Sequence, residues 1–371
     1  MTHSAIGKIM LVFGTKPEAI KMCPVALELA ARPGISCSVC LTGQHREQVY
    51  EALAAFGVSA DYDLSVMREH QTLFDITRGV LDGMRGVLTA DRPDILLVHG
   101  DTTTAFSAAL AAFYLGIPVG HVEAGLRTYR TDSPYPEEFN RRAVGTISSF
   151  DFAPTSGARE NLIAEGKDPS RVFVIGSTAV DALRITRRRD FSHPLLDWAG
   201  NSRLVIMTAH RRESTGDTMR GIFRAVRRAV REHGDVKLVC PVHPNPEICR
   251  IADDELGGED RIRLTPPLGT VDFHNLERRA YLILTDSGSI EEEAPTIGVP
   301  VVVLRDVTER PEGVSAGVMR LAGTDGGSVY REFCTLLDDP DEYRKAAHPI
   351  DVYGDGHAAR LLSDILISGG V

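Results

Sequence analysis

Carboxylates cluster at the ends of short apolar runs in the first half of the chain. Asp101 and Glu123 each follow such a run closely, and Glu137 and Glu138 come after a Pro-Tyr-Pro loop. Taken singly, each has an ordinary structural role, because Asp caps helices and acidic residues favour the first turn of a helix. Neighbouring carboxyl groups also shift each other's pKa values and can transfer protons. The group therefore predicts acid–base chemistry on a small molecule.

A second polar cluster lies in the other half, where an apolar run passes directly into a helix rich in glutamate. The turn between them consists of three small residues: Ser287, Gly288 and Ser289. Backbone N–H groups at such a turn bind phosphate oxygens. Glu293 in the helix could accept ribose hydroxyls, and Arg310 could close on the anion; the alternative is an ordinary capped helix with a charged surface. Together the two clusters favour proton chemistry on a phosphorylated ligand.

Basic and imidazole side chains stand at three further turns. The first carries Lys16 and Lys21, which would add positive charge beside exposed backbone N–H groups. The second carries His210 and Arg211, which could hold a diphosphate, and a Pro-rich loop presents His243. Structural alternatives stay open for each: a plain strand-to-helix turn, a charged surface loop and a rigid turn.

The composition argues against several classes of partner. The 371 residues carry a formal net charge of −10, and an acidic surface does not attract nucleic acid or an anionic membrane. No apolar run approaches the ~18 residues that span a bilayer, and the N-terminus lacks the apolar core of a signal peptide. The six cysteines are scattered apart from Cys37 and Cys40. We therefore expect reduced thiols in a cytoplasmic protein and no metal site.

Short runs rich in Val, Ile and Leu alternate with helical patterns along the whole chain. The first series of predicted strands is Lys8–Phe13, Ser36–Leu41, Ile95–His99, Val119–Val122, Phe150–Ala153 and Val172–Ile175. The second is Arg203–Thr208, Val236–Val242, Arg261–Leu264, Ala280–Thr285, Val299–Leu304 and Val318–Leu321. Continuous apolar runs are typical of parallel strands covered on both faces. They predict an α/β protein with two doubly wound Rossmann-like domains, residues 1–176 and 177–356, facing a cleft where ligands bind at strand carboxyl ends.

Longer motifs extend this interpretation. The chain contains, in order, GTKPEAIKMCPV, TGQHREQV, GDTTTAF, PVGHVEAGLRT, SPYPEEFNRR, TAHRRES, HPNP, LTDSGSIEEEAPTIGVPVVVLRDVTERPE and GDGHAARL. In sequence and spacing these segments resemble the non-hydrolysing UDP-N-acetylglucosamine 2-epimerase family over nearly the whole chain. The resemblance implies a glycosyltransferase-B-like fold, a C-terminal segment 357–371 that packs back on the first domain, and a homodimer.

The reaction that this resemblance implies is the interconversion of UDP-GlcNAc and UDP-ManNAc. UDP is eliminated to leave 2-acetamidoglucal and is then added back, so that the C2 proton leaves from one face and returns to the other. The route uses no nicotinamide, and no other cofactor is expected. It requires acid–base groups near both faces of C2 and strong binding of the leaving diphosphate, which suits the residues identified above.

The resemblance also implies roles for individual residues. Those that match catalytic positions are Asp101, Glu123, Glu137 and His210. Those that match UDP-binding positions are Lys16, Lys21, Phe273 (beside the uracil), Ser287, Gly288, Ser289, Glu293 and Arg310. Bacterial members often bind a second UDP-GlcNAc as an activator, and the matching residues are Gln44, His45, Arg211 and His243. Neither face of C2 is assigned to a particular acid.

The chain departs from the family pattern at five positions. Arg is usual at Lys16, Gly at Ser289, Gln at Glu291, Asn at Ser177, and often Arg at His70 in activated members. A lysine keeps the charge but loses the bidentate fork of arginine. The alternatives are 2-epimerisation of a related nucleotide sugar, a hydrolysing relative that releases ManNAc and UDP, a glycosyltransferase of the same fold, and a regulator that binds nucleotide sugars.

Overall fold

The computed structural model describes residues 6–43, 46–66, 71–210 and 216–368. The chain divides into two compact units. Unit 1 comprises Met1–Ile185 with Tyr353–Val371, and unit 2 comprises Thr186–Val352. Each unit is a parallel sheet with helices packed on it, which confirms the predicted α/β class with two doubly wound domains. Among the described residues, no helix combines the length and the apolar character needed to cross a membrane.

Among its described residues, unit 1 contains seven parallel strands. They are β1 (Lys8–Phe13), β2 (Ser36–Leu41), β3 (Tyr62–Asp63), β4 (Ile95–His99), β5 (Val119–Val122), β6 (Phe150–Ala153) and β7 (Val172–Val174). Their order in the sheet is β3-β2-β1-β4-β5-β6-β7. The winding direction reverses between β1 and β4. The carboxyl ends of these two central strands therefore form the switch point at which ligands of such sheets bind. The first carboxylate cluster begins there, with Asp101 two residues beyond the end of β4.

Seven helices of unit 1 follow these strands. They are α1 (Lys16–Ala30), α2 (Arg46–Phe56), α3 (Leu73–Asp91), α4 (Thr103–Tyr114), α5 (Glu137–Ile147), α6 (Ser156–Ala164) and α7 (Thr178–Thr186). Alternate residues of β1 pack on opposite faces: Ile9, Leu11 and Phe13 in the core that includes α1 and α2, and Met10 and Val12 in the core that includes α3 and α4. Burial on both faces explains why the run is apolar without interruption.

Unit 2 has six parallel strands and eight helices among the described residues. The strands are β8 (Arg203–Thr208), β9 (Val236–Pro241), β10 (Ile262–Thr265), β11 (Leu282–Thr285), β12 (Val301–Val303) and β13 (Met319–Leu321), in the order β10-β9-β8-β11-β12-β13. The helices are α8 (Pro194–Ala199), α9 (Asp217–Glu232), α10 (Pro246–Leu256), α11 (Thr270–Glu277), α12 (Gly288–Thr296), α13 (Pro311–Ser315), α14 (Gly326–Asp338) and α15 (Pro340–Ala346). The switch point between β8 and β11 carries His210 and the turn before α12.

The last helix, α16 (Ala358–Ile367), belongs to unit 1. Its residues Leu362 and Leu366 lie in the same core as β1. Its first turn is held by Asp181 of α7, whose carboxylate accepts hydrogen bonds from the N–H groups of Ala358 at 3.0 Å and Ala359 at 2.9 Å. These contacts keep α7 in unit 1, so the observed boundary follows Ile185 and not residue 176.

Every predicted strand has a counterpart in the structure, shifted by at most two residues at an end. One observed strand was not predicted: β3, a strand of two residues that pairs with the end of β2. So short an element carries no periodic pattern, and the sequence analysis did not predict it.

Candidate functional site

The turn after β1 is built around a buried carboxylate. Glu18 accepts hydrogen bonds from the N–H groups of Gly14 at 3.0 Å and Thr15 at 2.8 Å, and from Thr102 Oγ1 at 2.7 Å. Thr15 and Glu18 form a capping box at the start of α1. Burial raises the pKa of Glu18, although these hydrogen bonds oppose the shift. Glu18 thereby joins the turns after β1 and β4; the Thr-x-x-Glu spacing signals its capping role, whereas the contact with Thr102 needs the fold.

Glu123 lies immediately after β5 beside two basic groups. Its carboxylate forms an ion pair with Lys21 Nζ, and His99 Nε2 at the end of β4 is 3.6 Å from Glu123 Oε2. Glu123 has a φ of 62°, a left-handed conformation that is uncommon for a residue with a side chain and concentrates at functional sites. Lys21 therefore contacts a predicted catalytic carboxylate. His99 was not among the predicted site residues.

Asp101 is held by the helix that carries Glu137. Arg141 Nε donates to Asp101 Oδ2 at 3.0 Å, Arg141 Nη2 contacts the same oxygen, and Asn140 Nδ2 donates to the backbone oxygen of Asp101 at 2.9 Å. Glu137 is the first residue of α5, three and four residues before these partners. The structure thus brings Asp101 and the start of α5 together, and adds Arg141, whose partner lies 40 residues away in the sequence.

The neighbouring Glu138 has a different environment from Glu137. It is fully buried and accepts hydrogen bonds from the N–H groups of Thr128 at 3.0 Å and Tyr129 at 3.1 Å, and from Arg141 Nη1 at 3.3 Å. These contacts order the loop before α5. Glu138 is consequently a structural member of the carboxylate cluster, and it orients Arg141 toward Asp101.

Lys16 has a separate partner. Its Nζ atom is 2.6 Å from Glu51 Oε2 on α2. Lys21, five residues further along α1, pairs with Glu123 after β5. Lys16 is the first residue of α1, so its side chain lies beside the N–H groups at the start of that helix.

In unit 2, His210 lies two residues after β8 and contacts the buried Asp286. His210 Nδ1 is 2.9 Å from Asp286 Oδ1, and the N–H group of His210 donates to Asp286 Oδ2 at 2.7 Å. The ring of His243 stacks on that of His210 with a centroid distance of 5.9 Å. A carboxylate partner on Nδ1 fixes the orientation of an imidazole and leaves Nε2 to contact a ligand. Asp286 is the Asp of the TDSGS motif, and the sequence analysis did not single it out.

The start of α12 lies directly against Arg310. A Cβ atom placed on Gly288 would be 2.5 Å from Arg310 Nη1, so only glycine permits this approach. Arg310 is itself buried and donates from Nε to Glu292 Oε1 at 2.6 Å. Ser287 is the N-cap and makes no side-chain capping bond, and Ser289 is the second helical residue. The turn thus combines a helix N-terminus with a fixed guanidinium, as an anion site requires.

Glu291 and Arg305 belong to a buried ion-pair network next to this turn. Arg305 Nη1 is 3.4 Å from Glu291 Oε1 and 2.8 Å from Glu309 Oε2, and all three side chains are buried. Thr308 Oγ1 also donates to Glu291. Burial raises the pKa of Glu291, with Arg310 and Arg305 opposing the shift. The departure at Glu291 is therefore accommodated by a buried arginine and a hydroxyl.

Glu293, predicted to bind ribose, is 3% exposed on α12. Its Oε2 atom is 3.8 Å from His274 Nε2, and His274 Nδ1 is 2.8 Å from Thr186 Oγ1. Phe273, predicted to lie beside the uracil, precedes His274 on α11. The structure therefore places the helix that carries Phe273 against Glu293.

Three predicted activator residues, Gln44, His45 and Arg211, lie outside the described residues, as does His70. His243 is described and stacks on His210. Its position is thus next to a predicted catalytic residue.

One group of described residues has the spacing of a metal site: His233, Cys334 and Asp338. His233 Nδ1 is 2.6 Å from Ala229 O, and His233 Nε2 is 2.8 Å from Asp338 Oδ1. Burial lowers the pKa of His233, but these two hydrogen bonds outweigh it and raise the pKa overall. Both ring nitrogens then act as donors. The contact between His233 and Asp338 is therefore explained as an ion pair without a metal ion.

The chain is similar to known proteins over nearly its whole length. Residues 27–367 match the family model of UDP-N-acetylglucosamine 2-epimerase. The UDP-N-acetylglucosamine 2-epimerase of Bacillus subtilis (strain 168) is 50% identical over 97% of this chain and 95% of its own length. The Campylobacter jejuni enzyme of the same name is 43% identical over 98% of each chain. The structure of UDP-GlcNAc 2-epimerase from Neisseria meningitidis bound to UDP-GlcNAc has a TM-score of 0.94 at 40% identity, covering 98% of this chain and 100% of that one.

Proposed function

Because the chain belongs to the UDP-N-acetylglucosamine 2-epimerase family, we propose that it interconverts UDP-GlcNAc and UDP-ManNAc by inverting C2 of the sugar. The observation that carries the proposal is the pair of carboxylates at adjacent strand ends, Asp101 held by Arg141 and Glu123 by Lys21. Both are fixed in place by a basic partner: Asp101 follows β4, which borders the switch point of the sheet of unit 1, and Glu123 follows the neighbouring strand β5.

In the first half of the reaction, a carboxylate removes the C2 proton while the C1–O bond breaks and UDP departs with the electron pair. The product is 2-acetamidoglucal. In the second half, an acid returns a proton to the opposite face of C2 as UDP adds again to C1. Asp101, Glu123 and Glu137 supply the acid–base groups, and neither face is assigned to one of them. The atoms balance without a redox step, so no cofactor is required.

The residues of unit 2 bind the leaving group. The N–H groups at the start of α12 and the Arg310 guanidinium bind the diphosphate, while Glu293 accepts the ribose hydroxyls and Phe273 lies beside the uracil. His210, oriented by Asp286, contacts the diphosphate from the end of β8. Charge development on UDP in the transition state makes such preorganised donors catalytic as well as binding groups. Lys16 and Lys21 add positive charge on α1, and His243 belongs to the neighbouring activator site.

The test is to incubate the protein with UDP-GlcNAc in heavy water and follow it by proton NMR. The proposal predicts UDP-ManNAc with deuterium at C2, because the returning proton comes from exchangeable groups. Free ManNAc with UDP would instead establish the hydrolysing reaction. If UDP-GlcNAc is not turned over but a related nucleotide sugar is, that other nucleotide sugar is the substrate.

We also propose that the protein is a homodimer. Four aromatic side chains on adjacent helices α3, α4 and α5 are more than half exposed: Phe74, Phe113, Tyr114 and Phe139. Large aromatic groups are rarely left on a surface in such numbers unless a partner covers them. A second copy of the chain is the partner that the family resemblance implies.

A cytoplasmic location is the third part of the proposal. All six cysteines are free thiols, as is usual in a reducing compartment. Burial raises the pKa values of Cys23, Cys40 and Cys240 to about 12, so these thiols are unreactive core groups.

A further inference from the structure

His121 is a fully buried histidine in the middle of unit 1, on strand β5 and two residues before Glu123. Its Nε2 atom is 2.7 Å from the backbone oxygen of Gly100, the residue that follows β4. A carbonyl oxygen can only accept a hydrogen bond, so Nε2 must carry a hydrogen and donate it. The partner of His121 thus determines which of its ring nitrogens is protonated.

The other ring nitrogen of His121 faces a carboxylate without bonding to it. Nδ1 is 3.8 Å from Asp151 Oδ1 on β6, beyond hydrogen-bond distance, and has no hydrogen-bond partner among the described residues. Asp151 has partners of its own: Ser148 Oγ donates to it at 2.7 Å, and Lys167 Nζ is 2.9 Å away. Burial lowers the pKa of His121, although the charge of Asp151 and the hydrogen bond to Gly100 oppose the shift. The ring is therefore a neutral donor directed at Gly100.

The oxygen that accepts this hydrogen bond belongs to the peptide group that joins Gly100 to Asp101. A peptide group is planar, so the position of its oxygen also determines the positions of the nitrogen and Cα atoms of Asp101. The N–H group of Gly100 donates in turn to the backbone oxygen of Val122 at 2.9 Å. Strand β5 thus binds both backbone polar groups of Gly100, one through its main chain and the other through the His121 side chain.

Strand β5 also carries the second proposed catalytic carboxylate, because Glu123 follows it directly. A Cβ atom placed on Gly100 would be 3.4 Å from Glu123 Oε1, so the Gly100 turn lies next to that carboxylate. Beyond the turn, Asn140 Nδ2 donates to the backbone oxygen of Asp101 at 2.9 Å, and Arg141 Nε donates to its carboxylate at 3.0 Å. The backbone of Asp101 is consequently held on one side by α5 and on the other by the imidazole within β5.

We propose that His121 is a positioning residue for proton transfer: its Nε2–H group holds the peptide group before Asp101 against β5, and thereby keeps the Asp101 carboxylate in register with Glu123. This inference rests on the proposed catalytic role of Asp101. His121 acts through Gly100 and not on the sugar. It should therefore affect turnover and leave UDP binding, which the proposed function assigns mainly to unit 2, nearly unchanged.

Three substitutions of His121 separate the hydrogen bond from the imidazole ring. His121→Gln places an amide N–H the same number of bonds from Cβ as Nε2, so it can still donate to Gly100. His121→Asn carries the same amide one bond closer to Cβ and falls short, and His121→Leu has no donor. Because a misplacement of about 1 Å can lower turnover about 100-fold, we expect kcat to fall about 10–100-fold in the Asn and Leu variants and to stay within about threefold of the wild type in the Gln variant.

The experiment measures kcat and KM for UDP-GlcNAc by proton NMR and UDP binding by calorimetry, on the full-length protein. Calorimetry also gives the fraction of molecules that bind UDP, so kcat is expressed per binding site. A change that only destabilises the fold lowers the Tm and the fraction that binds, but not the turnover of each site. Leu366→Ala, a core truncation on α16 at a side chain that is 1% exposed, is the control for that case. It should lower the Tm and retain the wild-type kcat per site.

NMR of protein labelled with ¹⁵N in its histidines tests the donor without any turnover. The ring of His121 should be neutral with its hydrogen on Nε2 between pH 6 and pH 8, and its signals are identified by their loss in His121→Gln. A ring without a hydrogen on Nε2 would overturn the inference, because it could not donate to Gly100.

The kinetic outcomes separate this inference from the proposed function. Wild-type kcat per site in His121→Asn and His121→Leu would overturn the inference and leave the function intact, as would a loss in His121→Gln equal to theirs. A fall in UDP affinity as large as the fall in kcat would also overturn it. If the Asn and Leu variants do not fold, the Gln variant and the histidine NMR decide the matter. A wild type that binds UDP but does not convert UDP-GlcNAc would overturn the proposed function, and the role of Asp101 with it.

Discussion

At the scale of single residues, we predict that substituting the carboxylates of unit 1 lowers turnover without weakening UDP binding. Asp101→Asn and Glu137→Gln preserve shape but cannot accept a proton, so turnover should fall roughly 10²–10⁴-fold, the range for general acid–base catalysis. UDP affinity should be nearly unchanged, because the proposed UDP ligands of unit 2 are intact. Turnover is measured by NMR and UDP affinity by calorimetry.

The matched control for these variants is Glu160→Gln, an exposed carboxylate on α6. It should retain both turnover and affinity. If both Asp101→Asn and Glu137→Gln turned over UDP-GlcNAc at the wild-type rate, the catalytic assignment would be wrong.

Gly288 offers a second residue-scale prediction. In Gly288→Ala the new methyl group would lie 2.5 Å from Arg310 Nη1 and 2.8 Å from Cζ. Arg310 cannot simply swing away, because Glu292 holds its Nε. We expect UDP affinity to fall roughly tenfold to hundredfold, since a hydrogen bond to a charged group is worth about 1.5–3 kcal/mol.

The control for Gly288→Ala is Gly221→Ala, a half-buried position on α9 where a Cβ atom would meet nothing within 4 Å. This change should leave UDP affinity unaltered and should not lower the Tm, because Ala favours helix over Gly. Wild-type affinity in Gly288→Ala would show that the contact of Gly288 with Arg310 plays no part in nucleotide binding.

Residue types at strand ends could be predicted from the sequence, whereas their partners could not. Asp101, Glu123 and His210 were found because each follows an apolar run closely. Arg141 pairs with Asp101 across 40 residues, and Asp286 binds His210 across 76. No local pattern signals such pairs, since they depend on which strands become neighbours in the sheet.

At the scale of elements, the junction of α7 and α16 should give unit 1 a distinct pH dependence. Burial raises the pKa of Asp181 to about 6, although the N–H groups of Ala359 and Ala358 oppose the shift. The folded-state pKa is thus above the unfolded value, so the contribution of Asp181 to stability is greatest at about pH 4 and is lost as pH rises to about 6 or above. The loss corresponds to roughly 3 kcal/mol.

The measurement compares the free energy of unfolding of the wild type and Asp181→Asn at pH 4.5 and pH 7. The difference between the two proteins should shrink by about 2 kcal/mol over this interval, because the amide does not titrate. Asp168→Asn serves as a control, since Asp168 is an exposed cap whose pKa is lowered by hydrogen bonds to Ser170. A pH-independent difference for Asp181→Asn would contradict this view of the junction.

Helices and strands could be predicted from the sequence wherever the pattern of apolar residues was long enough. The strands were predictable because burial on both faces demands unbroken apolar runs. The unit boundary was not, because Ser177 and Thr178 only indicate that a helix begins. Which unit that helix joins is decided by Asp181 and its contacts with Ala358 and Ala359, 177 and 178 residues further along the chain.

At the scale of the whole molecule, the net charge of −10 implies that an anionic substrate needs local positive charge. Each unit carries buried positive charge of its own: Lys21 and Arg141 in unit 1, and Arg310 in unit 2, each in contact with a carboxylate of the same unit. These ion pairs fix the cations without leaving them as a general anion-binding surface. The start of α12 then adds N–H donors, whose field is local and directional.

The aromatic face of α3, α4 and α5 carries the last prediction. Phe113 is 54% exposed and Tyr114 is 71% exposed, and burying such groups against a second copy would contribute about 1.5–3 kcal/mol for each large side chain. We expect light scattering to give twice the mass of the chain for the wild type. Replacing Phe113 and Tyr114 together with Ser should shift the protein toward monomer at micromolar concentration, whereas Leu361→Ser on α16, which is 45% exposed, should leave the dimer intact. A wild-type monomer, or an unchanged dimer in the double variant, would mean that this face is not the interface, and the four exposed aromatic side chains would then need another partner.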